Sequence, residues 1–190
     1  MSAPTLSPTA PKGGFVFFAL LLVYVVWGST FLGIRLALEA GMQPLSMISG
    51  SRFVLAGGIL YALLRWRGLP NPGLAQWRNM LVMGLCLLFL GNGMVVLAQR
   101  EVSSGLAAVA VASVPLWMAL FTAMRGQRVG RGEWAGLAIG FAGIVWLNAG
   151  SSLTANPLGL VLLLIAPLGW AFGSIWSRGQ DLPAPFMTAA

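Results

Sequence analysis

The stretch Phe15 to Ile34, FVFFALLLVYVVWGSTFLGI, contains 20 residues and no charge. At about 1.5 Å of rise per residue, a helix of this length covers the roughly 30 Å hydrocarbon core of a bilayer. The stretch therefore predicts a transmembrane helix. Its centre holds Trp27-Gly28-Ser29-Thr30-Phe31, and a related sequence, Trp170-Ala171-Phe172-Gly173-Ser174, returns in an uncharged run near the C-terminus. This recurrence suggests that a second copy of the first segment begins there.

The composition places the whole chain in a membrane. Of its 190 residues, 58% are hydrophobic and 8% are charged, and the mean hydropathy is +0.86, far from the values of soluble domains. The chain has no His and one Cys, Cys86, which excludes a His-ligated metal, a His-based catalytic triad and an intrachain disulfide. Because the hydroxyl groups inside the apolar runs have no base nearby, we expect neither an enzyme nor a cofactor.

Six apolar runs predict an all-α, polytopic membrane helix bundle with about six transmembrane helices. A polar segment at residues 1–14 precedes them and is expected to be a disordered cytoplasmic tail. Pro115 and Pro167 lie in the middle of two runs and predict helix kinks. Gly136, Gly140 and Gly143 predict a surface for close helix packing. The runs are 15–34, 45–64, 80–98, 105–124, 134–149 and 158–177.

The basic residues set the expected orientation. Eight of the eleven fall on one side of the predicted bundle, and the other side receives only Arg35 and Arg100. This bias predicts a cytoplasmic N-terminus and a multi-pass protein of a bacterial inner membrane, and it argues against nucleic acid as a partner. The eight residues are Lys12, Arg65, Arg67, Arg78, Arg125, Arg128, Arg131 and Arg178.

The two related segments cross the bilayer in opposite directions, because five crossings separate their starts. Inverted repeats are typical of secondary transporters, which hold their substrate near the bilayer midplane. The expected partners are therefore the lipid bilayer and a small-molecule substrate.

Several motifs carry a resemblance to a known family. They are WGSTFLGIRLALE at 27–39, SRFVLAGGIL at 51–60, GNGMVVLA at 91–98, SSGLAAVAVASVPLW at 103–117, EWAGLAIGFAGIVWLN at 133–148 and NPLGLVLLLIAPLGWAFGSIWSR at 156–178. The sequence resembles the EamA family of the drug/metabolite transporter (DMT) superfamily, and within it the YedA-like exporters. The resemblance implies ten helices in two five-helix repeats, and export of small metabolites such as amino acids or drugs.

On this basis, residues 15–150 correspond to the first repeat and residues 158–190 to the start of the second, so we expect a truncated transporter. Three alternatives stay open. The first is a membrane fragment that is inactive in transport. The second is a half-transporter that associates with itself or with a second half, and the third is a lipid-phosphate flippase.

Candidate residues for the substrate pathway lie near the midplane of the predicted helices. Three Trp side chains are each the thirteenth residue of their run, and they are expected either to line an aromatic cavity or to pack between helices. A hydroxyl three or four residues after two of these Trp residues lies on the same helix face. A buried amide either joins two helices or contacts substrate, and a serine near the kink of the fourth run faces the same interior. These residues are Trp27, Trp117, Trp170, Thr30, Ser174, Asn92 and Ser113.

Arg52 is the one charged residue well inside a predicted span. It lies roughly 10 Å from the outer boundary at about 1.5 Å per residue. One interpretation is that it snorkels to the interface or pairs with Glu39 or Glu101. The other is that its guanidinium binds the carboxylate of an amino acid or organic acid.

Overall fold

The computed structural model describes residues 13–148 and 156–190, which form six long helices and one short helix. Each long helix overlaps one of the six predicted runs, in the same order, so the predicted all-α bundle is confirmed. Residues 1–12 of the predicted tail, and Ala149 at the end of the fifth run, lie outside the described residues. The helices are α1 Gly13–Glu39, α2 Pro44–Trp66, α3 Leu74–Ala98, α4 Ser104–Met124, α5 Arg131–Asn148, α6 Pro157–Ser177 and α7 Pro185–Ala189.

Five of these helices, α1, α2, α3, α4 and α6, are long and apolar enough to cross a membrane. The remaining long helix, α5, has 18 residues, but Arg131 and Glu133 occupy its first turn. It therefore falls short of the other five in apolar composition, and a sixth crossing stays a prediction.

Helix α3 differs from its predicted bounds and from regular α-helical geometry. It begins at Leu74, six residues before the predicted start, because Arg78 is accommodated in the helix near its beginning. The backbone N–H of Gly73 donates to the Gln76 side chain at 3.1 Å and caps this start. Between Leu85 and Gly93 the helix is π-helical, with hydrogen bonds that reach five residues back.

Helix α4 is interrupted next to Pro115. Its two parts, Ser104–Ala112 and Val114–Met124, meet at Ser113, whose hydroxyl donates to the Ala110 carbonyl at 2.6 Å. Pro115 has no N–H to continue the helical ladder, which is why a break at this place costs little. Helix α6, by contrast, runs through Pro167 from Pro157 to Ser177.

Helix α6 lies at the centre of the bundle. In the most apolar 18-residue stretch of α6, 44% of the residues are buried, whereas none are buried in that of α1. Glycines let α6 approach α3 closely, since a Cβ added at Gly169 would come within 2.7 Å of the Leu90 Cβ, and one at Gly173 within 2.7 Å of the Cys86 Cβ. This packing brings the second related segment against α3.

The glycines predicted to pack closely are different ones. A Cβ added at Gly136, Gly140 or Gly143 of α5 meets no atom of another element within 4 Å in the described part of the chain. Within the described residues this stripe therefore makes no close helix contact, and its packing against a second copy or a second half stays a prediction. The tight contacts belong instead to α6, whose larger neighbours on α3 leave no room for side chains.

Candidate functional site

Two Trp side chains from the related segments meet inside the bundle. The rings of Trp27 on α1 and Trp170 on α6 make an edge-to-face contact, with centroids 5.2 Å apart and planes at 65°. Such a pair contributes about 0.5–1.5 kcal/mol beyond its buried area. The two segments that suggested a repeat in the sequence are therefore direct neighbours in the structure.

The Trp170 ring is fixed by the π-helical part of α3. Its Nε1–H donates to the Leu87 carbonyl at 2.7 Å, and the amide Nδ2 of Asn92 donates to the same oxygen at 3.2 Å. The indole also occupies the place where a side chain at Gly91 would lie. A single carbonyl thus orients two of the predicted pathway residues.

Five of the predicted residues line one space, which we call the central cavity: Trp27, Thr30, Arg52, Asn92 and Trp170. It is an open depression with a volume of about 440 Å³, and four of its lining residues, Trp27, Thr30, Asn92 and Trp170, also border a narrow inner space of about 30 Å³. These residues come from α1, α2, α3 and α6. Ligand cavities commonly have this composition, with mainly apolar walls and a few polar groups.

Arg52 gives the central cavity its charge. In the described part of the chain no carboxylate pairs with its guanidinium, whose Cζ lies 4.7 Å from the centre of the neighbouring Phe53 ring. The expected partners are engaged elsewhere. Glu39 accepts from the Nε of Arg35 at 2.7 Å, and Glu101 accepts from Asn156 at 3.1 Å. Pairing of Arg52 with either acid, one of the two interpretations, is therefore not what the structure has.

The two predicted polar groups next to Trp27 and Arg52 bond within their own helices. The Thr30 hydroxyl donates to the Val26 carbonyl at 3.0 Å, and Asn92 bonds to Leu87 of its own helix rather than to another helix. Thr30 Oγ1 keeps its acceptor capacity, and the Asn92 carbonyl oxygen has no partner among the described residues. Both groups can therefore accept hydrogen bonds from a solute in the cavity.

The other predicted residues do not join the central cavity. Ser113 and Trp117 line a separate apolar groove of about 530 Å³ between α4, α5 and α6, together with Trp134 and Pro167. Ser174 lines neither space; its carbonyl accepts from the Ser177 hydroxyl at 3.0 Å. Of the two prolines predicted to kink helices, Pro167 borders the narrow inner space and the apolar groove, and Pro115 borders neither.

Leu87, Gly91 and Phe53 shape the cavity but were not among the predicted residues. The sequence offered one signal, the pair of glycines that flank Asn92, since small residues on a membrane helix allow close approach of a neighbour. Nothing in the sequence marked the Leu87 carbonyl, because its role depends on the π-helical turn.

Comparison with known proteins places these features in a family. Residues 14–149 match the model of the EamA-like transporter family. The chain is 44% identical over 176 residues to the "Uncharacterized inner membrane transporter YedA" of Escherichia coli K12, which covers 92% of this chain and 57% of that protein. It is 26% identical over 157 residues to an "Uncharacterized transporter" of Archaeoglobus fulgidus, which covers 80% of this chain and 53% of the relative.

The chain thus spans little more than half the length of the curated relatives that it matches. No solved structure matches it.

Proposed function

Because the chain belongs to the EamA-like transporter family, a family of membrane transporters and not of enzymes, we propose that it acts in the export of small metabolites across the inner membrane. The proposed substrates are amino acids, other small organic acids or drugs. The proposed pathway passes through the central cavity. In this proposal the activity belongs to the whole transporter, to which the chain contributes one wall of the site.

One observation supports this proposal most directly. Residues distant in sequence, Trp27, Arg52, Asn92 and Trp170, line a single cavity whose charged group, Arg52, has no carboxylate partner in the described part of the chain. An unpaired cation inside a membrane-spanning helix is costly. A substrate carboxylate that binds the guanidinium through two parallel hydrogen bonds offsets this cost.

The walls of the cavity complement such a substrate. The two indole rings offer apolar surface for its side chain, while Thr30 and Asn92 offer acceptors for an amino group. Arg52 is exposed and Trp27 is 46% exposed on the surface of this chain, so both side chains are open to the rest of the whole transporter and to a solute held there.

Replacement of Arg52 tests the proposal. Arg52→Lys, made in the whole transporter, keeps the charge but replaces a bidentate fork with a point charge. We expect efflux of an amino-acid panel from proteoliposomes to fall about tenfold, as for a lost charge-assisted hydrogen bond. Arg178→Lys, a change after the end of α6, is the matched control and should retain efflux. Equal efflux by the Arg52→Lys and unmodified proteins, at equal reconstituted amounts, would remove Arg52 from the substrate site.

A lipid-phosphate flippase is a second candidate, supported by the position of the central cavity. One of its walls consists of Leu22, Val23 and Val26 of α1. All three side chains are exposed, and they lie in the part of α1 predicted to cross the hydrocarbon core. A lipid headgroup could enter between α1 and α2 and bring its phosphate to Arg52. Movement of a fluorescent phospholipid between leaflets, with no efflux of the amino-acid panel, would favour this candidate.

A further inference from the structure

A second polar cavity lies at the end of the bundle where α1 ends and α2 begins, here called the outer end. It has a volume of about 290 Å³, and its wall includes Arg35, Glu39, Gln43, Gln99 and Arg100. None of these residues lines the central cavity. The outer cavity joins two stretches of chain, 35–44 and 99–100, that are more than fifty residues apart.

Among the described residues, the charges of the outer cavity leave one cation, Arg100, without a carboxylate partner. The Nε of Arg35 lies 2.7 Å from a Glu39 oxygen, so that pair is largely neutral. Among the described residues no carboxylate or other acceptor pairs with the Arg100 guanidinium. The neighbouring acid, Glu101, turns instead to the Asn156 amide at 3.1 Å. The cavity therefore carries a net positive charge, centred on Arg100.

Gln99 supplies the second observation. Its side chain is 0% exposed, and neither its Nε2 nor its Oε1 has a hydrogen-bond partner among the described residues. The buried hydroxyl of Ser49 also has no hydrogen-bond partner among the described residues, so the two groups do not bond to each other. An unpaired buried amide costs about 1–3 kcal/mol. Since the Gln99 side chain is completely covered in this chain, neither a further helix nor a solute reaches the amide where it now lies, but a small turn of the side chain brings it into the cavity that Gln99 borders.

We propose that the outer cavity binds the carboxylate group of a small solute through the guanidinium of Arg100 and the amide of Gln99. The guanidinium donates to the carboxylate oxygens, and the Gln99 amide moves toward the cavity to donate through Nε2. Glu39 borders the same space and attracts a positively charged group on the solute. At about 30 Å³ per water molecule, the volume corresponds to roughly ten waters, enough for a solute of amino-acid size.

Protection of a thiol from labelling tests this site without any need for transport. Met42 lines the outer cavity and is 36% exposed. In a Cys86→Ala background, Met42→Cys carries the one reactive thiol of the full chain, purified in detergent. We expect sodium propionate to slow its reaction with a maleimide by about threefold once two thirds of the sites are occupied, whereas sodium chloride and ethylammonium chloride at equal ionic strength do not.

Two variants separate binding from a general salt effect. Arg100→Gln should abolish the protection by propionate, and Arg178→Gln, after α6, should leave it unchanged. If Met42→Cys does not fold, Gln43→Cys reports on the same cavity. Equal slowing by all three salts, no slowing by propionate, or full protection in Arg100→Gln would each overturn the proposal. None of these results depends on efflux through the central cavity, so the two proposals can fail separately.

Discussion

Gly91 determines how closely α3 approaches the indole of Trp170. A Cβ at this position would overlap the ring, which is itself held by the hydrogen bond from Nε1 to the Leu87 carbonyl. We expect Gly91→Ala to reduce stability by about 1–3 kcal/mol, the usual cost of overpacking. The buried thiol of Cys86 provides the measurement, because its reaction with a thiol-reactive dye on heating reports unfolding.

Gly84 offers a matched control for this prediction. It lies seven residues, about two turns, earlier on the same helix, and an added Cβ meets no atom of another described element within 4 Å. Gly84→Ala should therefore be neutral or stabilise the helix by up to about 1 kcal/mol. If both variants melt alike, the Trp170 ring has room to move and does not need Gly91.

Single residues also show the limits of reading the sequence. Depth within the apolar runs predicted Trp27, Trp170 and Asn92 as interior residues, and the structure has these side chains around one cavity. The partner of Glu39 was mispredicted, although Arg35 precedes it by four residues and such spacing favours a pair on one helix face. The position of Trp117 in another groove depends on helix packing, which no local pattern specifies.

The segment after α6 is fastened to the start of α3 through Asp181. The Nδ2 of Asn79 donates to the Asp181 backbone carbonyl at 3.1 Å, and the Gln76 amide donates to its carboxylate at 3.0 Å. Asn79 is 5% exposed, whereas the Gln76 bond is exposed. We expect Asn79→Ala to cost about 1–1.5 kcal/mol, because it removes a partly buried hydrogen bond together with the buried amide that donates it.

Gln76→Ala breaks the neighbouring bond to the same residue and serves as the comparison. Since water replaces an exposed partner, its cost should be about 0.5–1 kcal/mol or less. The stability of both variants is measured as the shift of the melting midpoint, which is followed by the reaction of the Cys86 thiol with the dye on heating. A larger loss in Gln76→Ala than in Asn79→Ala would contradict the view that burial makes the Asn79 bond the stronger of the two.

The helices as elements were predictable in number and order, because apolar runs of 16–20 residues, five of them uncharged, have few alternatives in a membrane. The residues at which the helices begin and end were harder to predict. The prediction for α3 started after the last charge, at Met80, but Arg78 lies inside the helix. A long basic side chain near a helix end can reach the interface, so charge alone does not mark the boundary. The π-helical parts of α2 and α3 had no signal in the sequence.

At the scale of the whole molecule, the pattern of apolar runs predicted a membrane bundle, and family membership agrees with it. The arrangement of the helices was not predictable. The central position of α6 follows from glycine contacts with α3 that arise only when both helices are in place. The outer cavity likewise joins residues of two distant segments, and neither segment alone has the composition of a binding site.

The orientation in the membrane is the last prediction, and it concerns every loop at once. Eight basic residues on one side and two on the other predict a cytoplasmic N-terminus, because positively charged loops remain inside. Cys86→Ala chains with Met42→Cys or Gln127→Cys test this in intact cells. Met42 follows α1, and Gln127 is exposed after α4, at the end of the bundle expected to be cytoplasmic.

A membrane-impermeant maleimide should label Met42→Cys in intact cells and label Gln127→Cys only after the membrane is opened. The opened cells are the control for reactivity, since both thiols must react there. The opposite labelling pattern would show that the protein has the inverse orientation in the membrane. The basic loops would then face outward, and the cavity beside Arg100 would open to the cytoplasm as a site of solute entry rather than release.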